Sequence, residues 1–463
     1  VRSESTFVVA TVAVLVVAAS SVAVASPDGS ASETVHTRAD LPALDSFEPP
    51  TADGTAVVDG EEFDTAQAAV DAAEPGETVR LSGRFDERVT VRTPNVTITA
   101  EGPDTAMIDG GGEGDVLTVD ASGVTVEDVW LRNSGPDADT EDAGVWVNGS
   151  DATIRSLRLT EITFGVWVNG VDRVTVENAT IVGREGVASH AMRGNGVQLW
   201  ETKDTVVRNN DVTRVRDGIY FSWAEDVTAS DNRLWDLRYG VHYMYSDDNR
   251  LENNLAVDND VGYALMVSQD LQIVNNTAID NDGQSGHGIL VKDIEDTTLR
   301  GNVVADNGNG FYVSNAQDNR LEGNLVLDND IGVHATAGSS GQSVVGNSFV
   351  HNEVQAFSTQ EEVVVWNGSD GGNYWSDART VDRSNDGISE TRHRPAGTVE
   401  RLVHEQPRAA AFADSPAFAA VRMAENSFPI LRSPGIVDHQ PLTDSPHDWE
   451  RYYESEDNAH RSH

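Results

Sequence analysis

The feature that most limits what this chain can fold into is a repeat. Hexapeptides opening on glycine recur along its middle: GVWVNG at Gly144 and at Gly165, GVQLWE at Gly196, GIYFSW at Gly218, GVHYMY at Gly240, GYALMV at Gly262, GILVKD at Gly288, GFYVSN at Gly310 and GVHATA at Gly332. The commonest step between them is 22 residues. Asn210, Asn232, Asn254, Asn276, Asn302, Asn324 and Asn347 form a second series with nearly the same step. A period in the low twenties, made of short β-type segments between Asn, Asp and Gly, means a solenoid in which each repeat buries its apolar edge against its neighbours. Leucine-rich repeats share the period, but their Leu-x-x-Leu-x-Leu consensus is missing. The spacing therefore predicts an all-β fold, a right-handed single-stranded parallel β-helix of about a dozen coils from Val89 to Ser358. Equivalent positions should stack about 4.8 Å apart. The repeated asparagines are expected to tolerate left-handed turns and to bond their counterparts up and down the stack.

Composition divides the flanks. Residues 1–25 read as a signal peptide: Arg2, then a nearly unbroken apolar run from Phe7 to Ala19, then AVA at Ala23–Ala25. The run is short for a membrane span. Residues 26–55, rich in Ser, Asp, Pro and Thr, read as a flexible linker. Residues 56–365 hold the β-helix, with a short helix over 64–73, capped by Asp64, to close its N-terminal end. Residues 366–463 form an irregular C-terminal segment. Its stretch Arg408–Arg432 clusters Phe412, Phe418, Val421, Phe428 and Ile430, and is placed to close the last coil or to dock on a membrane partner.

Strand alternation assigns the faces. Counting each repeat glycine as zero, position one (Val145 to Val333) and position three (Val147 to Ala335) are apolar throughout and belong to the core. Positions two and four then point out. Position two reads Trp146, Trp167, Gln198, Tyr220, His242, Ala264, Leu290, Tyr312 and His334; position four includes Trp200, Met244, Met266 and Lys292. Neither column holds Asp or Glu, although the chain has 76 acidic residues against 32 basic and a net charge of −44. Such a stripe of Trp, Tyr, His and Met marks a binding surface, unless the C-terminal segment lies across it. Soft ligands gather there. Met244 and Met266 fall in adjacent coils, and His242 is two residues from Met244. One insertion, GREGVASHAMRG, brings His190 and Met192; another, NDGQSGHG, brings His287. Loops from both sides could fold over His242, Met244 and Met266. Imidazole and thioether ligands suit Cu(I), and copper is the expected, transient ligand.

Other chemistries are constrained by the same composition. The chain has no cysteine, which excludes disulfides, thiolate metal sites and thiol catalysis. The acidic excess disfavours nucleic acid and anionic lipid and suits solubility in high salt. SDDN at Ser246–Asn249, SGHG at Ser285–Gly288 and Lys292 loosely match polygalacturonase motifs, so a polysaccharide-cleaving or sugar-binding protein is the alternative reading. The coil before SDDN offers WAED where that family wants Asn-Thr-Asp. VDRSNDGISE, Val381–Glu390, offers Asp382, Asn385, Asp386 and Glu390 around Gly387 as a calcium loop or a plain turn. Sequons at Asn95, Asn148, Asn178, Asn275 and Asn367 are compatible with export.

RDGIYFSWAED, LRYGVHYMYSDDNRLENN, GNYWSDARTVDRSNDGIS and ADSPAFAAVRMAENSFPILRSPGIVDHQPL together resemble the NosD family of nitrous oxide reductase maturation proteins. The likeness covers nearly all of the chain after the linker. It implies a non-catalytic, extracytoplasmic β-helix protein docked on an ABC transporter, the NosF ATPase and NosY permease. It further implies work with the copper chaperone NosL in completing the copper–sulfur centre of nitrous oxide reductase.

Overall fold

The computed structural model describes residues 36–44, 47–413, 415–427 and 434–453; the expected signal peptide, residues 1–25, and residues Phe428 and Ile430 lie outside these. The described chain is a parallel β-helix. Its first sheet has twelve parallel strands, one per coil, from Val89–Val91 to Val354–Ser358. Two series of mostly three-residue strands complete each coil, such as Thr228–Ser230 in a second sheet and Arg233–Trp235 in a third. In the first sheet register follows the repeat: Val241 pairs with Ile219 and Tyr263, His242 with Tyr220 and Ala264, and Met244 with Ser222 and Met266. Positions one and three fill the interior, where Val241, Tyr243, Tyr263 and Leu265 are wholly buried. Each such side chain contributes roughly 1.5–3 kcal/mol by leaving water.

The asparagine series is an interior ladder, and its mechanism differs from expectation. Asn232 Nδ2 donates to Asn254 Oδ1 at 2.9 Å and to the Val207 carbonyl at 3.0 Å; Asn254 repeats the pattern with Asn276. The left-handed conformation belongs to the residue before each asparagine, among them Asn209, Asp231, Asn253 and Gly301. That residue turns the chain outward, and the ladder asparagine then points in and satisfies buried carbonyls. A second ladder, Asn259–Asn281–Asn307–Asn329–Asn352, runs beside it.

Both ends are closed. Helix Ala66–Ala72 buries Ala66, Ala69 and Val70 over the first coil. Its cap is Thr65, not Asp64: the Thr65 hydroxyl accepts from Ala68 N, and the Glu87 carboxylate takes the Ala66 and Gln67 amides at 2.7 and 3.2 Å. At the C-terminal end Phe349, Trp375 and Trp366 stack, and strand Val363–Val365 pairs with Gly435–Val437. The wholly buried Asp438 accepts from Asn373 N at 2.7 Å and Trp375 Nε1 at 2.9 Å.

Both terminal segments lie along the third sheet. Arg38, in the stretch expected to be free linker, bridges Asp258 and Asp280, and Phe47 packs against Trp130 and under Arg158. Trp449, Tyr452 and Tyr453 cover Leu255, Val257, Ile279, Ala305, Leu325, Leu327 and Val350. The pairing of Arg with turn aspartates and the apolar outer face of this sheet explain why polar composition did not leave these segments detached.

Candidate functional site

The outer face of the first sheet carries three columns, not two. Pairing skips the repeat glycine, so Asp217 pairs with Tyr239 and Ile219 with Val241. A Cβ on Gly218 would sit 2.5 Å from the Gly240 carbonyl oxygen, which holds the position to glycine. This irregularity returns the residue before the glycine to the outside. Phe164, Asp217, Tyr239, Val261, His287 and Asn309 form that column. The face therefore does contain a carboxylate, Asp217, and it is the most buried polar group there.

Asp217, Arg238 and His242 form one connected unit. Arg238 binds the Asp217 carboxylate through two nitrogens, at 2.8 and 2.5 Å, and His242 Nδ1 lies 3.0 Å from Asp217 Oδ2. Burial alone would raise the Asp217 carboxyl; the hydrogen bonds from His242 and Arg238 outweigh it and hold the group below the usual carboxylate range. An ionised carboxylate only accepts, so Nδ1 must carry the proton it donates. In neutral His242 the lone pair is then on Nε2. That nitrogen is buried and has no hydrogen-bond partner among the described residues, in a side chain 7% exposed. A carboxylate fixing one imidazole nitrogen so that the other is presented is the arrangement by which proteins orient metal-binding histidines. Tyr220 lies tilted against the ring at 4.6 Å and Tyr239 meets it edge-on at 5.1 Å. Met244 and Met266, half-buried, stand on the same face in adjacent strands. A buried acceptor nitrogen on the same sheet face as two thioethers fits Cu(I).

The other expected ligands are placed differently. His287 is a strand residue two coils above Tyr239, with the strand of Val261 and Ala264 between it and that of His242. At about 4.8 Å per coil it is too far to share one ion with His242. It stacks on Tyr312 at 4.6 Å, and Tyr312 meets His334 at 5.1 Å. Burial pushes the His287 imidazole down to about 4. The two insertions do converge, at Asp260 on the rim of the face. His190 Nδ1 is 3.9 Å from Asp260 Oδ2, and Gly286 N donates to the Asp260 carbonyl at 3.1 Å. Met192 is 67% exposed. The first insertion thus reaches the rim three coils above its own strand, past Arg216 and Arg238. Among the described residues no group of three or more His, Asp or Glu is gathered as a metal cage.

The aromatic stripe is less open than alternation suggested. Trp167 and His242 are buried, Trp146, Tyr220, Tyr312 and His334 are half-buried, and Trp200 is exposed. The cover is local: Trp146 stacks on Trp167 at 4.8 Å and Phe164 meets Trp167 edge-on at 4.8 Å. Of the sugar-cleaving motifs, Asp247 accepts the Gln269 amide and Asp248 is a left-handed turn residue, while Lys292 is exposed beside Met266. In Val381–Glu390 the carboxylates close on their own loop. Asp382 takes the Asn385 and Gly387 amides, and Glu390 those of Arg383 and Ser384, which lowers both below the usual carboxylate range. A cavity of about 700 Å³ lies in the C-terminal segment, away from this face, lined by Arg392, His393, Glu400 and Arg422 among others.

Residues 177–380, which include Asp217, Arg238, His242, Met244 and Met266, match the family described as "Periplasmic copper-binding protein (NosD)". The probable ABC transporter binding protein NosD of Pseudomonas aeruginosa is 37% identical over 357 residues, covering 74% of this chain and 82% of that one. The protein of the same name from Stutzerimonas stutzeri is 33% identical over 382 residues, covering 79% and 86%. The chain belongs to the NosD family. Among solved structures, the A-module of the Azotobacter vinelandii mannuronan C-5 epimerase AlgE4 is similar, with 19% identity, coverage of 63% and 85%, and a TM-score of 0.42. No helix among the described residues is long and apolar enough to cross a membrane.

Proposed function

We propose that this NosD-family chain is an extracytoplasmic, non-catalytic assembly factor that accepts Cu(I) as cargo on the first-sheet face and presents it for the copper–sulfur centre of nitrous oxide reductase. His242, oriented by Asp217 and Arg238, holds the ion through Nε2, with Met244 and Met266 as thioether partners. The observation that carries this reading is the buried Nε2, without a hydrogen-bond partner among the described residues, on the same sheet face as two methionines. His190 and Met192 stand at the rim and are positioned to meet incoming copper. His287, Tyr312 and His334 form a separate aromatic cluster on the same face. The partners are the ABC transporter permease and ATPase, NosY and NosF, and the copper chaperone NosL. Exposed Leu402, Phe412, Val421 and Met423 near the C-terminal end suit contact with the permease. The relatives' names support the transporter link, and the family description supports copper and an extracytoplasmic site.

The test is to produce the reductase beside wild-type chain and beside the His242→Ala/Met244→Ala variant. The reading requires a reductase lacking its copper–sulfur absorption when the variant is present. A fully assembled centre contradicts it. Cleavage of oligosaccharides by the purified chain would instead support the carbohydrate reading.

A further inference from the structure

The coil has another outward surface that the copper face does not use, the rounded edge between the first and second sheets. Trp223 and Tyr245 occupy equivalent positions on it, stacked at 4.7 Å with planes 13° apart and 54% and 45% exposed. Trp200, 39% exposed, lies next to this edge at the end of a first-sheet strand, paired with Ser222. Both Trp223 and Tyr245 have left-handed backbone, at φ 55° and 53°. The equivalent residues of other coils include Gly170, Glu201, Val267, Asp293 and Asn315. Glycine and asparagine are at home in that conformation and bulky side chains are not. Folding alone gives no reason for an exposed aromatic pair there. Three residues further round the same edge, Asp204, Asp226, Asp248, Asp270, Asp296 and Asp318 follow one per coil, all exposed. Lys203 on this edge is already paired with Glu225.

A different edge of the molecule shows what such a surface binds. Asp236, Asp258, Asp280, Asp306 and Asp328 stack there in the same left-handed conformation. The chain's own termini contact four of them, Asp258 to Asp328. Arg38 bridges Asp258 and Asp280 at 2.5 and 3.0 Å, and the Tyr452 and Tyr453 hydroxyls donate to Asp306 and Asp328 at 2.8 and 2.6 Å. Leu41 and Trp449 lie on the apolar residues alongside. Guanidinium and phenol donors answer the carboxylates, and apolar side chains answer the neighbouring surface. The Trp223–Tyr245 edge offers the same two elements at the same one-coil spacing, and no described segment covers it.

We propose that this edge is the docking surface for an extended, arginine- and aromatic-bearing segment of a partner protein, laid along the coil axis as the termini are on the other edge. Charge selects the occupant: a row of carboxylates on a chain of net charge −44 attracts a cationic segment and repels an acidic one.

The probe is a synthetic peptide, (Arg-Tyr-Tyr)₃, which repeats the Arg451–Tyr453 triplet, titrated against the full chain with (Glu-Tyr-Tyr)₃ as control. Two variants are compared, Trp223→Asn/Tyr245→Asn and Asp226→Asn/Asp248→Asn/Asp270→Asn. Asparagine suits the left-handed turns, so both should fold. The expected result is binding to the wild type, at least tenfold weaker binding to the first variant with an unchanged melting temperature, and weaker, less salt-dependent binding to the second. Equal affinity across the three proteins overturns the proposal, as does no binding to the wild type or equal binding of the acidic peptide. A lowered melting temperature in the first variant would make the pair a structural stack and also overturn it.

Discussion

The first and third sheets are made by the same coils, and both turn apolar side chains outward, yet their outer faces end differently. On the third, Leu255, Val257, Ile279 and Leu327 are sealed by Leu41, Trp449 and Tyr452. On the first, among the described residues, His242, Met244 and Met266 are covered by their own neighbours, and the His242 Nε2 has no hydrogen-bond partner. A solenoid must treat each outer apolar stripe as something to cover or something to use. This chain covers one with its termini and leaves the other, which we propose receives copper, covered only in part. Under that proposal, burial on the third face serves stability and partial burial on the first serves ligand choice.

Substitutions should separate the two roles, and the core beneath both sets the upper limit. Val241→Asp places an unpaired charge in the interior directly under His242 and should cost more than about 4 kcal/mol, unfolding the local coils. Loss of far-ultraviolet dichroism, or a melting temperature too low to refold, checks it. On the covered face, Tyr452→Ala removes a buried ring and its bond to Asp306 and should cost about 3 kcal/mol in denaturant titration. On the open face, His242→Ala with Met244→Ala should cost about 1 kcal/mol, because Asp217 keeps its two bonds to Arg238. If the open-face pair costs as much as Tyr452, the contrast between the faces is lost.

The smallest effect is one of pH. The His287 imidazole is held at about 4 in the folded chain, against 6.5 when free, because burial disfavours its charged form. The folded state therefore binds fewer protons between these values, and the contribution of His287 is present above pH 6.5 and lost as pH falls toward 4. Denaturant midpoints of wild type and His287→Asn, compared at pH 7 and pH 5, should shift against the wild type at the lower pH. Equal shifts would mean that this part of the face is as open as bulk surface.

Much of this was legible in the sequence because a solenoid repeats its answer. The glycine register placed Val241 and Tyr243 inside and His242 and Met244 outside, and the twelve first-sheet strands run from Val89 to Ser358 as the spacing predicts. Strict alternation fails at the glycine itself, where close approach of the next coil breaks the pairing. For that reason Asp217 and Tyr239 went unnoticed as outward residues, and His287 read as part of a loop. The signal was present in Arg216-Asp217-Gly218 and Arg238-Tyr239-Gly240, whose residues before the glycine stack one upon the other. The Asn259–Asn352 ladder could have been found by the same alignment. The third-sheet cover could not: Arg38 meets Asp258 and Tyr453 meets Asp328 across sequence gaps of 220 and 125 residues, and no local pattern encodes such contacts.

The central claim is that the partly covered face holds copper through His242 Nε2 and the two methionines. Its most direct test is a competition titration of Cu(I) against a chromophoric chelator, on wild type, His242→Ala, and Met244→Ala/Met266→Ala. The account predicts one tight Cu(I) per wild-type chain and at least a tenfold loss of affinity in each variant. Unchanged Cu(I) affinity in both variants would contradict it.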